Sequence, residues 1–145
     1  MSTAPDEEII AAAIVALKAD AALVELVGGR IYDRVPEKAA GKTGVEFPYI
    51  SLGPTSSLAA DVNCSDAEEI TLQFDVWSRG DGIAYDSREV RRIVRAIRRV
   101  LSDAELVLDD AALVTMTYEL NRVLREADGA TNHGLIQFVA VVESP

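Results

Sequence analysis

One amphipathic segment constrains the fold of this chain more than any other. The stretch from Ala84 to Leu101, AYDSREVRRIVRAIRRVL, has the period of an α-helix, with apolar and basic residues on opposite sides. The apolar side consists of Val90, Ile93, Val94, Ile97, Val100 and Leu101. The basic side consists of Arg88, Arg91, Arg92, Arg95, Arg98 and Arg99. Because the apolar side has to be covered, the pattern predicts a helix lying on a sheet.

Asp86 is the exception in this segment, because a helix that starts at Ala84 places it on the apolar side. Two explanations are open. Asp86 is the N-cap of a helix that begins at Ser87, or its carboxylate bonds a group near the start of the helix.

Alternation of apolar and polar residues predicts strands on both sides of this helix. The predicted strands are Arg30–Tyr32, Tyr49–Leu52, Glu68–Trp77, Ala112–Leu124 and Gly134–Glu143. The last of these is apolar on both faces apart from Gln137, which indicates a central strand or a second face that meets a partner. The segments Asp33–Phe47, Thr55–Asp66 and Glu126–His133 are predicted loops, the last with a turn at Asp128-Gly129.

Two helices are predicted before the first strand. Pro5 and the acidic residues after it suit the start of one helix, and Asp20 suits the N-cap of another that ends at Gly28. The chain has no internal repeat and no linker. The order of elements predicts one α+β domain over residues 1–145, a mostly antiparallel sheet of four or five strands with helices packed on one face.

Charge and composition exclude several classes of protein. The formal net charge is −10 and the isoelectric point is about 4.5, which argues against a general nucleic-acid binder. No apolar run approaches the roughly 18 residues needed to span a bilayer, and the N-terminus does not resemble a signal peptide, so no membrane role is expected. A single cysteine excludes an internal disulfide and favours a reducing, intracellular origin.

The six arginines of the basic side face water, nucleic acid or the acidic surface of another subunit. A solvated helix face usually mixes charge signs or uses lysine, whereas this one has arginine and no lysine. Arginine favours bidentate pairing with carboxylates or phosphates. Because the rest of the chain is acidic, we expect carboxylates of a neighbouring subunit to be the partners.

No catalytic or metal-binding pattern is present in the sequence. His133 is the only histidine and Cys64 the only cysteine, so a cysteine–histidine pair is possible only between them. Both lie in predicted loops, and unrelated loop residues are the expected interpretation. The spacings of a metal site, a phosphate-binding loop or a carboxylate dyad are absent. Trp77 and Tyr118 fit packing better than base stacking. We expect no enzyme activity, no cofactor and no metal.

Four motifs in order resemble a known family. They are ALKADAALVELVGGRIYDRVP, FPYISLG, ITLQFDVWSRGDG before the basic helix, and DGATNHGLIQFVAVVE near the C-terminus. Their spacing, from Leu17 to Glu143, is similar to that of the phage tail completion or tail terminator family of tailed phages, prophages and gene transfer agents. The density of arginine in the helix is not part of this resemblance.

The resemblance implies a structural role in a virion or phage-like particle that is assembled in the cytoplasm of the host bacterium. It implies a homo-hexameric ring that ends the tail tube and joins it to the head-side connector, with DNA passing through the lumen without sequence-specific binding. It carries no catalytic residues. The alternatives are a small nucleic-acid binding module that uses the arginine helix and a small hydrolase or transferase that uses Cys64 or His133.

Overall fold

The structure, a computed structural model, describes residues 4–36, 44–60, 66–80 and 86–144. Within these ranges the chain forms three helices and six strands. They are α1 (Pro5–Ala19), α2 (Ala21–Val27), β1 (Ile31–Tyr32), β2 (Tyr49–Leu52), β3 (Ser56–Ala60), β4 (Ala67–Ser78), α3 (Arg88–Leu101), β5 (Ala112–Arg125) and β6 (Asn132–Glu143). The predicted α+β class is confirmed.

All six strands belong to one sheet, with the order β1-β2-β4-β6-β5 and with β3 also paired to β4. Only β1 and β2 run parallel; the other pairs are antiparallel. Strand β4 pairs with β6 from Ala67↔Glu143 to Ser78↔Asn132. Strand β6 therefore lies between two long strands, which confirms the central position that its apolar faces predicted.

Strand β3 was not predicted, and it lies in the segment Thr55–Asp66 that we expected to be a loop. Its sequence, SSLAA, has no alternation and little β-branched character. The strand is set by its neighbour, because Ser56 to Ala60 pair with Thr71 to Ala67 of β4. Pairing with β4 thus forms a sixth strand in a segment whose own sequence does not favour one. Residues 61–65 of the same segment lie outside the described residues.

The start and end signals of the first two helices are confirmed. Pro5 is the first residue of α1, and three acidic residues follow it in the first turn. The Asp20 carboxylate accepts a hydrogen bond from the Leu23 backbone N–H at 3.0 Å, so Asp20 caps α2. Helix α2 ends at Gly28, whose φ of 62° is left-handed and therefore suits glycine.

The three helices cover one face of the sheet, as predicted. Alternate residues of the central strands are buried under them: Ile70, Leu72, Phe74 and Val76 of β4, and Ile136, Phe138, Ala140 and Val142 of β6. The apolar side of α3 joins this core, with Val90, Ile93, Val94, Ile97 and Leu101 buried and Val100 partly buried. Helix α3 contacts β4, β5 and β6, whereas α1 contacts β1, β4 and β6.

Gly134 allows α3 to approach the central strand closely. A Cβ atom at this position would lie 2.7 Å from Cγ2 of Val90 and 2.8 Å from Cγ2 of Val94. Both distances are too short for carbon atoms, and valine side chains have little freedom to move away. The missing side chain of Gly134 therefore sets the distance between α3 and the sheet.

We expect Gly134→Ala to lower the free energy of unfolding by about 1–3 kcal/mol, because the added methyl overpacks this contact. Urea denaturation would measure the change. In a Val94→Ala background one of the two clashing methyl groups is absent, so the same substitution should cost less. If Gly134→Ala lowered the free energy of unfolding equally in both backgrounds, the close approach of α3 to β6 would be contradicted.

Candidate functional site

Helix α3 presents its six arginines to solvent, and we call this surface the arginine face. All six are exposed: Arg88, Arg91, Arg92, Arg95, Arg98 and Arg99. They face outward because the buried residues on the other side of the helix are held against the sheet. The sequence correctly separated the two sides of the helix. The structure shows in addition that the six arginines have different surroundings.

The predicted start of this helix was wrong, and the correction explains Asp86. Helix α3 begins at Arg88, so Asp86 precedes it, and Ala84 and Tyr85 lie outside the described residues. Oδ1 of Asp86 accepts hydrogen bonds from the backbone N–H and the side-chain Nε of Arg88, at 2.9 and 3.0 Å. The side-chain hydrogen bond of Arg88 lowers the pKa of Asp86 to about 2. Of the two explanations, the bond near the helix start is correct.

Two arginines of the arginine face form bidentate pairs within the chain. Nη2 of Arg88 lies 2.9 Å from Oδ2 of Asp86. At the other end of the helix, Nη1 and Nη2 of Arg99 donate to the two carboxylate oxygens of Asp20, at 3.2 and 2.6 Å. The Arg99 hydrogen bond lowers the pKa of Asp20, and Asp20 raises the pKa of Arg99. Arg99 therefore links α3 to the cap of α2, which leaves it less free for an external partner.

The arginines between these pairs are less constrained. Nε of Arg91 donates to Oγ of Ser87 at 3.1 Å, and the guanidinium of Arg98 lies 4.0 Å from the centre of the Tyr118 ring. Among the described residues, Arg92 and Arg95 have no hydrogen-bond or ion-pair partner. After Arg88, the charge of Arg92 also lowers the pKa of Asp86, so Arg95 is the arginine whose charge the chain matches least.

A groove of about 580 Å³ runs along the arginine face, and we call it the arginine groove. Its basic lining is Arg92, Arg95, Arg98 and Arg99, and its remaining lining is Ala22, Ala96 and Ser102. The remaining lining residues have small side chains, and two of them are alanines, so the lining is partly apolar. Such a surface can bind a carboxylate or phosphate group and exclude water beside it.

A second groove, of about 630 Å³, lies on the outer side of α1, and we call it the acidic groove. Its acidic lining is Asp6, Glu7 and Asp33, and its other lining is Ala4, Ile10, Ala11, Ile14 and Val15. Asp33 directly follows β1, so the fold brings it beside the first turns of α1. Sequence reasoning missed this site because Asp6 and Glu7 were sufficiently explained by the helix dipole.

The two residues considered for catalysis are not brought together by anything the structure describes. Cys64 lies outside the described residues. His133 was predicted in a loop, but it is the second residue of β6. Its ring stacks on Trp77, with 4.0 Å between the ring centres, and Nε2 lies 2.8 Å from Oδ1 of Asp75. Trp77 is therefore used for packing on the side of the sheet away from the helices.

A hydrogen-bonded row extends from His133 across the same side of the sheet. Nε2 of Gln137 donates to Oε1 of Gln73 at 2.8 Å, and Nε2 of Gln73 donates to Oδ1 of Asp75 at 2.9 Å. The register β4–β6 pairs Gln73 with Gln137, and Asp75 lies two residues later on the same side of β4, so the row follows from the sheet pairing. Within the described ranges, no group of three or more histidine, cysteine or acidic residues could hold a metal ion.

The comparisons with known proteins agree with a structural role. The sequence model of the family described as tail completion protein gp17 matches residues 11–143. The chain belongs to this family. This tail completion protein is thus a structural component of a phage tail and is located in the virion, as the four sequence motifs predicted. No curated protein sequence matches it.

A solved structure is similar to the tail completion protein over almost its whole length. The structure is described as the virion of a native gene transfer agent particle. Its matching chain is 26% identical, the match covers 99% of this chain and 100% of that chain, and the TM-score is 0.82. The two chains thus share a fold over their full lengths. In the described parts of the tail completion protein, no helix is long and apolar enough to cross a membrane.

Proposed function

We propose that this tail completion protein forms a homo-hexameric ring that closes the tail tube and joins it to the head-side connector. The observation that carries the proposal is the full-length likeness to a chain of a gene transfer agent virion, within a family of tail completion proteins. The partners are other copies of the chain, the tail tube protein and the connector. No membrane or cofactor takes part.

The distribution of charge supports a ring. Copies in a ring meet through a heterologous contact, in which one surface of a subunit binds a different surface of its neighbour. The arginine face is strongly basic, whereas the whole chain has a formal net charge of −10. Surfaces of opposite sign on one chain provide such a contact. An acidic lumen would also repel phosphates, so DNA would pass without binding.

The direct test is native mass spectrometry of the protein, alone and mixed with tail tube subunits. We expect a six-subunit species in at least one of these samples. A protein that stays monomeric in both samples, and that does not bind the tube subunits, would overturn the proposal.

We expect Arg92→Glu/Arg95→Glu to abolish this six-subunit species without unfolding the chain. Both side chains are exposed and make no hydrogen bond or ion pair in the described structure, so far-UV circular dichroism should be unchanged. The matched control is Lys18→Glu/Arg122→Glu, which changes the net charge equally at exposed residues of α1 and β5 that line neither groove. Equal assembly of both variants would show that the arginine face is only a solvated surface.

A second candidate function is binding of nucleic acid by the arginine face. The exposed guanidinium groups of Arg92 and Arg95 favour it, and the acidity of the chain as a whole opposes it. This candidate predicts an affinity for duplex DNA that falls steeply with salt concentration, because bound phosphates release counterions. Absence of a gel shift at low salt would remove it.

A further inference from the structure

Different elements line the two grooves: α2 and α3 line the arginine groove, whereas α1 and the residue after β1 line the acidic groove. Helix α3 contacts β5, the last strand in the sheet order, and α1 contacts β1, the first. The acidic groove includes Asp33, directly after β1. A smaller groove of about 210 Å³ continues the arginine face onto β5, where Asn121 and Val123 line it. One subunit thus carries a basic and an acidic surface on different elements, and both are exposed to a neighbouring copy.

The two grooves are opposite in charge, and each has a partly apolar lining. Among the described residues, no ion pair uses Asp6, Glu7 or Asp33, just as none uses Arg92 or Arg95. Both grooves have apolar linings, and Val15 in the acidic groove is 67% exposed. Long arginine side chains can lay their aliphatic stems on such a lining while the guanidinium groups reach carboxylates.

We infer that the arginines of one subunit enter the acidic groove of the next, so that Arg92 and Arg95 meet Asp6, Glu7 and Asp33 of the neighbouring copy. The inference rests on the proposed ring and adds the acidic surface that receives the arginine face. Like surfaces cannot be used in this contact, because arginine on arginine or carboxylate on carboxylate is repulsive. The contact is therefore heterologous, as ring closure requires.

Charge reversal on each side separately, and then on both, tests the contact. The first variant is Arg92→Glu/Arg95→Glu, and the second is Glu7→Lys/Asp33→Lys, which leaves Asp6 at the start of α1. Alone, each variant faces a repulsive neighbour, and we expect its self-association to be about 100-fold weaker or more. A 1:1 mixture restores attraction at every contact when the variants alternate, which a ring of six permits. One chain with all four substitutions should also assemble.

Native mass spectrometry distinguishes the mixed ring by its mass, and wild-type protein is measured beside it, alone and with tail tube subunits. The control for the acidic side is Glu69→Lys/Glu119→Lys, at exposed residues outside both grooves. If wild type forms rings, but neither the mixture nor the chain with all four substitutions does, the proposed contact is wrong. The proposed function would stand in that case. A wild-type chain that never assembles with itself or with tube would overturn the proposed function itself.

Labelled duplex DNA at low salt gives an independent readout. The proposed contact predicts weak or no DNA binding by wild type and by both reversal variants. If Arg92→Glu/Arg95→Glu abolished DNA binding while Glu7→Lys/Asp33→Lys assembled like wild type, the arginine face would be a nucleic-acid surface and the inference would be wrong.

Discussion

Phe138→Ala should lower the free energy of unfolding by about 3–5 kcal/mol, the range for removing a phenyl ring from a packed core. Phe138 is fully buried on β6, the central strand, under the helices. It pairs directly with Tyr118 of β5, and the two rings meet edge to face with 6.2 Å between their centres. Urea or thermal denaturation followed by circular dichroism would measure the loss.

Phe138→Ala should also affect the arginine face, because it removes packing beneath one of its arginines. Tyr118 rests on Phe138, and Arg98 lies over the Tyr118 ring, so a cavity at Phe138 removes support from that arginine. The control is Leu58→Ala on β3, where the side chain is 66% exposed and the expected change is within about 0.5 kcal/mol. Similar losses in the free energy of unfolding for Phe138→Ala and Leu58→Ala would show that burial on β6 is not what stabilises the fold.

Glu8→Ala should destabilise the protein by about 2–3 kcal/mol, because it removes a buried charged acceptor. Glu8 is 6% exposed. Its carboxylate accepts hydrogen bonds from the backbone N–H of Asp110, at 3.1 and 3.2 Å, and of Ala111, at 3.0 Å. These bonds join the first turn of α1 to the connection that leads into β5. Without them, the Ala111 amide is left buried without its carboxylate acceptor.

Two further variants separate this role from a general effect of charge at the helix start. Glu8→Gln keeps one acceptor oxygen, so its cost should be smaller than that of Glu8→Ala. Glu7→Ala removes an exposed carboxylate from the same turn and should change stability by about 0.5 kcal/mol or less. Denaturant titration of all three variants is the measurement, and equal losses for Glu7→Ala and Glu8→Ala would refute the buried contact.

Features with a strong local period were predictable. The period of α3 assigned Ile93 and Ile97 to the core and the arginines to solvent, because burial of an amphipathic helix leaves one orientation. Alternation identified β4 and the apolar content of β6 identified a central strand. The caps at Asp20 and Gly28 were predictable because they depend on neighbouring residues only.

Features that depend on distant residues were not predictable. Strand β3 forms because it pairs with β4, and no local pattern in Ser56–Ala60 predicts a strand. The start of α3 was predicted too early. The side chain of Arg88 bonds Asp86, which precedes the helix, and sequence periodicity does not show this bond. His133 was assigned to a loop because its place in β6 depends on stacking against Trp77 and on pairing with β4.

The sequence by itself determined the class of fold, the family and the existence of an arginine face, because periodicity and charge are properties of neighbouring residues. Only the tertiary structure decided which of these arginines remain unmatched. Arg99 is paired with Asp20, 79 residues away in sequence, whereas Arg95 has no partner among the described residues. The acidic groove likewise needs α1 and the end of β1 together. Both depend on contacts between segments far apart in the chain, and such contacts are set by the packing of the whole core.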